Sequence, residues 1–283
     1  MTAKTALVTG ANSGMGLATS RELTARGYRV LMACRSQARG EAALRQVEAV
    51  GGSGSAELVL CDLADLASIR RFADDVHGRV STLDVLINNA GVVSPKRQET
   101  QDGFELALGV NHLGHFLMTN LLLDLMKTSS DGRIIVVASG AYKAGKIDFE
   151  DPHLRQHYNV IRSYGQSKLA NILFARELAL RVHEQGIVVN SLHPGAVLTQ
   201  LGVNRGTGFG QGVYRALGKL PAFQTPEEGA STAVYLADSP EVSGISREYF
   251  YRSQPHRLNR KAEDDETALR LWEWSEREVG LAP

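Results

Sequence analysis

A short apolar segment that leads into a glycine-rich turn near the N-terminus constrains the fold more than any other feature of the sequence. Residues 5–9 are predicted to form a buried strand, residues 10–18 carry the spacing G-x-x-x-G-x-G, and a helix is predicted up to Arg26. Glycines at such a turn let a diphosphate approach the main chain, and the N-terminus of the next helix attracts phosphate. A tight turn that binds nothing is the alternative. The candidate nucleotide ligands are Gly10, Asn12, Ser13, Gly14, Met15 and Gly16.

The end of the second predicted strand, residues 28–35, indicates which dinucleotide would bind. In dinucleotide folds this position, about 20 residues past the glycines, meets the adenosine ribose, and an acid there binds the 2′-hydroxyl. This sequence has Cys34 followed by Arg35, with Ser36 and Arg39 nearby. Cations and a hydroxyl suit a 2′-phosphate, so NADP(H) is favoured over NAD(H), with Arg35, Ser36 and Arg39 as ligands. The alternative is a surface Arg35 that stacks on adenine.

Beyond this point the sequence alternates between strand-like and helix-like segments. Further strands are predicted at 56–60, 83–87, 133–138, 188–192 and 248–251, and helices at 38–50, 65–78, 103–126, 163–183, 226–237 and 267–279. This alternation is typical of an α/β fold, and we expect a doubly wound parallel sheet, a Rossmann fold, of about seven strands with helices on both faces. The length of 283 residues fits one domain over residues 1–283.

Polar and small residues follow several of these strands, at the edge where such sheets bind ligands. Asp62, with Leu63 beside it, would accept a hydrogen bond from the adenine amine, or it would cap the next helix. Small and amide side chains follow the fourth predicted strand, at Asn89, Ala90 and Gly91. They suit a segment that lies close against a cofactor and hydrogen-bonds to neighbouring strands, and a simple turn is the alternative. The hydroxyl of Ser139 would donate to a substrate carbonyl oxygen, or belong to an ordinary turn.

Tyr164 and Lys168 are four residues apart in a predicted helix and therefore share one face. An ammonium beside a phenol favours the phenolate, so Lys168 is expected to lower the pKa of Tyr164 and let it exchange protons near neutral pH. The spacing Y-x-x-x-K is common on solvated helices, and an ordinary exposed pair is the alternative.

Taken together, the order of these motifs resembles that of the short-chain dehydrogenase/reductase family over about residues 4–252. The motifs that carry the resemblance are TGxxxGxG at 9–16, NNAG at 88–91, Asn111, Ser139, and Tyr164 with Lys168. Residues 110–116 and 164–171 are most similar to the retinol-dehydrogenase-like branch, and residues 33–35 are similar to its NADP-preferring members.

The resemblance implies an oxidoreductase in which NADPH delivers hydride to a carbonyl carbon, or NADP accepts it from an alcohol. Tyr164 would give the oxygen its proton and Ser139 would stabilise the oxyanion. Lys168 would also bind the nicotinamide ribose, and Asn111 would hold a water linked to Lys168. In the PG-x-V-x-T turn, the residues closing over nicotinamide would be Pro194, Gly195, Val197 and Thr199.

The C-terminal third carries features outside these motifs. Residues 200–225 are rich in glycine and are interpreted as a substrate lid, with a disordered surface loop as the alternative. The resemblance implies a more aromatic and apolar segment here in retinol-active members, so the glycines disfavour a retinoid substrate. The extension at 253–283 contains Trp272 and Trp274, which would dock on the body or on a partner subunit. The long helices at 103–126 and 163–183 would pair in a homodimer or homotetramer.

Composition limits the other possibilities. Lys plus Arg and Asp plus Glu number 31 each, so the chain has no overall positive field for nucleic acid or a membrane. Cys34 and Cys61 do not form a disulfide framework, no metal-ligand spacing is visible, and the sequence shows no signal peptide or membrane anchor. We expect a cytoplasmic enzyme acting on a small carbonyl or alcohol. The alternative is a non-catalytic NADP(H) sensor that binds partners through its surface.

Overall fold

The computed structural model of the chain describes residues 3–195 and 224–282. Within them, eight strands form one sheet in the order β3-β2-β1-β4-β5-β6-β7-β8. The strands are β1 (Thr5–Thr9), β2 (Arg29–Cys34), β3 (Ser55–Leu60), β4 (Val85–Asn88), β5 (Arg133–Val137), β6 (Val188–Leu192), β7 (Tyr249–Tyr251) and β8 (Gln254–Pro255). All neighbours pair in parallel except β7 and β8. The strand order reverses between β1 and β4, where open α/β sheets bind ligands.

Helices cover both faces of the sheet. They are α1 (Gly14–Ala25), α2 (Gln37–Glu48), α3 (Leu66–Arg79), α4 (Leu106–Lys127), α5 (Val160–Arg181), α6 (Pro226–Asp238) and α7 (Asp265–Glu278). Because successive strand residues point to opposite faces, Leu7 and Leu31 pack with α3, α4 and α5, whereas Val8 and Val30 pack with α1, α2 and α6. The predicted doubly wound α/β fold is confirmed.

The prediction of about seven strands missed β8. This two-residue strand follows a turn at Arg252 and Ser253, whose φ angles are 51° and 59°. Two-residue hairpin turns with positive φ usually use Asn-Gly or Asp-Gly. The pair Arg-Ser carries no such signal, so only tertiary pairing with β7 reveals the strand.

The helix predicted at 103–126 begins later and is irregular. The carboxylate of Glu105 caps α4 by accepting from the amides of Ala107 and Leu108, at 3.0 and 2.8 Å. Residues Gly109–Leu113 form a π-helical turn inside α4. Such turns are frequent at functional sites, and this one contains Asn111.

By length and composition, α4 is the one helix in the described residues that could cross a membrane. However, 78% of its most apolar window is buried inside the fold. That burial is what a core helix needs, because its apolar side chains contact the sheet and the neighbouring helices.

The C-terminal helix α7 docks on the body through Trp272. Its indole lies 4.8 Å from the ring of Phe116 on α4 and 5.9 Å from that of Phe174 on α5, measured between centroids. The guanidinium of Arg181 lies 4.3 Å over the same indole. This contact realises one of the two predicted roles for the tryptophans, while the homodimer or homotetramer stays a prediction.

Candidate active site

Three of the predicted catalytic side chains meet at the carboxyl edge of the sheet. Ser139 follows β5 and caps the 3₁₀ turn Gly140–Ala144, its hydroxyl accepting from the amide of Ala141 at 3.2 Å. Tyr164 and Lys168 lie in the first turns of α5, with the Lys168 Nζ 5.7 Å from the centre of the Tyr164 ring. The Ser139 hydroxyl lies close enough to the Tyr164 side chain to favour its ionised form. Side chains 25 residues apart in sequence therefore share one site.

A backbone contact between two glycines brings Ser139 and Tyr164 together. A Cβ atom on Gly145 would lie 2.1 Å from the carbonyl oxygen of Gly165, and a Cβ on Gly165 would lie 2.8 Å from the amide nitrogen of Gly145. Only glycine tolerates so close an approach of two main chains. The motifs did not identify either residue, although a glycine inside a helical pattern is a recognised sign of close packing.

The electrostatics of the pair differ from the sequence-based expectation. Lys168 is almost fully buried and donates to the carbonyl oxygen of Val137 at 3.1 Å. Burial lowers the pKa of Lys168 to about 8. Burial raises the pKa of Tyr164 above its ordinary value, and the nearby Ser139 hydroxyl acts in the opposite direction. Burial thus outweighs the lowering of the Tyr164 pKa that was expected from Lys168, because residue spacing conveys no information about burial.

Asn111 is a fully bonded buried amide. Its Oδ1 accepts from the amide of Val92 at 2.7 Å, and its Nδ2 donates to the carbonyl of Val92 at 3.0 Å and to the hydroxyl of Ser167 at 2.9 Å. The side chain thus joins the π-helical turn to the segment after β4 and to α5. Its main-chain carbonyl accepts from Nδ1 of His115 at 3.0 Å.

The glycine turn after β1 is packed closely against the protein's own main chain and against Asn89. Gly10 has a φ of 65°, and a Cβ on Gly16 would lie 2.4 Å from the carbonyl oxygen of Gly10 and 2.5 Å from Nδ2 of Asn89. That Nδ2 also donates to the carbonyl of Thr9 at 2.7 Å, and the amide of Ala90 donates to the Thr9 hydroxyl. Asn89 and Ala90 therefore hold β4 against β1, as predicted.

The start of α1 follows this glycine turn, and we call the two together, residues 10–16, the cofactor cradle. Ser13 is the N-cap residue, Gly14 has a φ of 54°, and the first turn contains only uncharged side chains, including buried Met15. Half-buried Asn12 precedes them. An uncharged first turn leaves the positive end of the helix dipole to an anion, so these residues fit a dinucleotide diphosphate.

The residues at the end of β2 fit an additional anionic group. Cys34 is buried, whereas Arg35 and Arg39 are exposed. Ser36 occupies the N-cap of α2, and its side chain makes no capping bond within the described part of the chain. Two guanidinium groups beside a helix N-terminus match the charge of a phosphate.

At the end of β3 the structure resolves one open alternative. Asp65, not Asp62, caps α3 by accepting from the amide of Ser68 at 3.1 Å. One oxygen of Asp62 accepts from the amide of Ala64 at 3.0 Å, and neighbouring Leu63 is buried in the core. Asp62 is therefore a turn residue and does not cap α3.

The last predicted ligands follow β6. Pro194 and Gly195 are half buried, and Gly195 has a φ of 84°. The amide of Gly195 donates to Nδ1 of His193 at 3.1 Å, and the His193 ring stacks 4.2 Å from Tyr251 on β7. Sequence reasoning missed this role of His193. Val197, Thr199 and nearly all of the lid at 200–225 lie outside the described residues.

Comparisons with known proteins identify the family. A family model described as short chain dehydrogenase matches residues 4–208. The chain is 48% identical to Retinol dehydrogenase 14 of Homo sapiens, over 99% of this chain and 88% of that protein. It is 43% identical to Retinol dehydrogenase 13 of Homo sapiens, over 98% and 85%. The crystal structure of an uncharacterized protein from Mycobacterium Paratuberculosis matches with a TM-score of 0.76 and 36% identity, over 98% of this chain and 93% of that one.

The chain therefore belongs to the short-chain dehydrogenase/reductase family, in the retinol-dehydrogenase-like branch, as the motifs predicted. It belongs to a family of oxidoreductases that use a nicotinamide cofactor. Within residues 3–195 and 224–282, no three His, Cys, Asp or Glu side chains are grouped as a metal site requires.

The contact between Gly145 and Gly165 yields a stability prediction. Gly145→Ala places a methyl group against the main chain of α5, so we expect a loss of about 1–3 kcal/mol in the free energy of unfolding. Gly140→Ala, in the same 3₁₀ turn, places its methyl group in open space and should change it by less than about 0.5 kcal/mol. Urea titration measures both, and equal stability of the two variants would contradict the contact.

The buried ammonium of Lys168 makes stability depend on pH. Because burial lowers its pKa from 10.5 to about 8, the unfolded chain binds more protons than the folded one between these values. Stability contributed at this position therefore rises with pH across that window. Relative to Lys168→Met, the wild-type free energy of unfolding should rise by about 2 kcal/mol from pH 7.5 to 9.5. A difference that does not change with pH would mean that Lys168 is not desolvated.

Proposed function

We propose that this protein is an NADP(H)-dependent oxidoreductase that transfers hydride between nicotinamide and a carbonyl or alcohol substrate, with Tyr164 as general acid and base. The observation that carries the proposal is the meeting of Ser139, Tyr164 and Lys168 beside the glycine turn at one edge of the sheet. The bound cofactor supplies the hydride. The protein supplies orientation, proton transfer and a hydrogen bond to the reacting oxygen.

Each of the three side chains has a distinct role in this proposal. The hydroxyl of Ser139 donates to the substrate oxygen as negative charge develops on it. Tyr164 gives that oxygen a proton in reduction and accepts one in oxidation. Lys168 binds the nicotinamide ribose and exchanges protons with Tyr164. Because burial raises the pKa of Tyr164, the phenol is neutral at physiological pH, which suits donation and hence carbonyl reduction.

Asn111 is proposed to take part through its main chain. Its side-chain amide already bonds Val92 and Ser167, so its carbonyl, with one lone pair used by His115, is the group left to hold a relay water for Lys168. Gly91 leaves room for this, since a Cβ there would lie 3.5 Å from Lys168 Nζ and 3.6 Å from Asn111 Oδ1.

The proposed cofactor site extends from the glycine turn to both ends of the dinucleotide. Arg35, Ser36 and Arg39 would take the 2′-phosphate, which is why NADP(H) is preferred to NAD(H). Asp62 and Leu63 would border the adenine. Asn89, Ala90 and Gly91 would form the cofactor wall, and the nicotinamide would lie near Pro194, Gly195, Val197 and Thr199.

The substrate is proposed only as a small molecule with a carbonyl or alcohol group. The relatives named retinol dehydrogenases make retinaldehyde and retinol the first compounds to test. The glycine-rich lid still predicts that a retinoid is a poor substrate. The cytoplasmic location also stays a prediction.

Replacing the phenol hydroxyl tests the proposed reaction. Tyr164→Phe should lower turnover by about 10²-fold or more, because the proton donor is lost, while NADPH affinity stays unchanged. The measurement is NADPH consumption with retinaldehyde and a panel of aldehydes, ketones and quinones. Tyr235→Phe, whose hydroxyl bonds Glu241 at 3.0 Å on the surface of α6, is the matched control. Undiminished turnover in Tyr164→Phe would refute the role, and tight NADPH binding without turnover on any compound would favour the sensor.

Cofactor preference is tested at the end of β2. Cys34→Asp introduces a carboxylate that repels a 2′-phosphate and accepts from a 2′-hydroxyl, so the NADPH-to-NADH affinity ratio should fall. Arg35→Ala should weaken NADPH binding by about tenfold and leave NADH binding nearly unchanged. Fluorescence titration gives both affinities. An unaltered ratio in both variants would place the selectivity elsewhere.

A further inference from the structure

A buried histidine on α4 lies between the cofactor cradle and the Asn111 turn, and the reaction proposed above does not use it. His115 is 1% exposed. Its Nδ1 lies 3.0 Å from the main-chain oxygen of Asn111, and its Nε2 lies 2.9 Å from the hydroxyl oxygen of Thr9. Both ring nitrogens therefore contact polar groups that belong to different parts of the site.

These contacts determine the tautomer of the ring. A carbonyl oxygen only accepts, so Nδ1 carries the proton that bonds Asn111. Burial lowers the pKa of His115 to about 4, so the ring is neutral near pH 7 and Nε2 accepts. The Thr9 hydroxyl is then the donor to Nε2, with the carbonyl of Ile87, at 3.3 Å, as its more distant alternative acceptor.

The chain of donors continues beyond Thr9. The hydroxyl oxygen of Thr9 accepts hydrogen bonds from the backbone amides of Asn89 and Ala90, at 2.8 and 2.9 Å. Each hydrogen bond thus points in the same direction, from the segment after β4, through Thr9 and His115, to the carbonyl of Asn111. A protonated ring would break this order, because Nε2 would then donate to a hydroxyl that already accepts two bonds.

A histidine that bonds the carbonyl four residues before it is not in itself unusual. His77 on α3 makes the same bond to Ala73 at 2.8 Å, and Asn120 on α4 donates to the carbonyl of Phe116 at 2.8 Å. His115 differs in two ways. Its acceptor is the Asn111 carbonyl inside the π-helical turn, and its second nitrogen is bonded to the end of β1.

We propose that His115 is a positioning residue that fixes the direction of the Asn111 carbonyl and links it to Thr9 through hydrogen bonds. This link holds the carbonyl proposed to bind the relay water at a constant position relative to the glycine turn that would bind the cofactor. This inference rests on the proposed function. It predicts that the donor at Nδ1 matters for turnover and that the bulk of the ring matters less.

Two conservative variants separate the nitrogens. His115→Asn places an N–H donor where Nδ1 stands, as Asn120 already does in the same helix, and should keep kcat within about threefold. His115→Gln places its amide near Nε2, beyond the Asn111 carbonyl, and should lower kcat by about tenfold or more. KM and the NADPH affinity should change little in either. His77→Gln removes the equivalent surface bond and should leave activity unchanged.

Folding stability is measured for the same variants by urea titration. Equal losses of kcat in His115→Asn and His115→Gln would mean that the ring only fills space, and undiminished kcat in His115→Gln would remove the positioning role. Either result overturns the proposal. Tyr164→Phe serves as the reference for a lost catalytic group.

A second measurement requires no substrate. Nitrogen NMR of the full chain with ¹⁵N-labelled histidine should show that the His115 ring is protonated at Nδ1 and unprotonated at Nε2 at pH 7. In Thr9→Val the Nε2 resonance of that ring should shift, because its donor is lost. If the ring whose resonance shifts in Thr9→Val is protonated at Nε2, or is charged, the proposal is overturned. If no compound is turned over while this tautomer is observed, the proposed function fails and the hydrogen-bonded link stands.

Discussion

Parallel pairing of the central strands is the constraint on which the rest of this structure depends. Parallel strands need crossover helices, so the carboxyl ends of β1, β4 and β5 all lie at one edge. Residues that follow those strands, Thr9, Asn89 and Ser139, are therefore neighbours although they lie far apart in the sequence. The site is a consequence of this pairing rather than of any one motif.

Burial of polar groups at that edge explains the density of hydrogen bonds there. A buried amide, hydroxyl or imidazole without a partner is costly, and the low local dielectric makes each satisfied bond strong. Asn111 uses its whole side-chain amide, and His115 uses both ring nitrogens. The result is a rigid wall of main chain and side chains behind Tyr164 and Lys168. Ser139, Tyr164 and the glycine turn remain partly open to a ligand.

Burial also sets the charge state of the proposed catalytic pair. The pKa values of Tyr164 and Lys168 are both displaced toward their neutral forms by desolvation. A neutral phenol beside an amine that can lose its proton near pH 8 forms a pair ready to pass a proton in either direction. In the proposed function, dinucleotide binding would bring phosphate and ribose groups to this edge.

Local patterns were sufficient to predict seven of the eight described strands, the glycine turn, the helical spacing of Tyr164 and Lys168, and hence the family. Such features depend on residues close together in sequence, where periodicity and turn chemistry act directly. Other features needed the folded chain: the backbone contact of Gly145 with Gly165, the capping of α3 by Asp65 rather than Asp62, the raised pKa of Tyr164, and the tautomer of His115. Each depends on which distant groups become neighbours and how much water is excluded. The sequence alone thus determined the architecture and pointed to the proposed catalytic side chains. The tertiary structure decided their partners, burial and protonation, because these arise only from long-range packing.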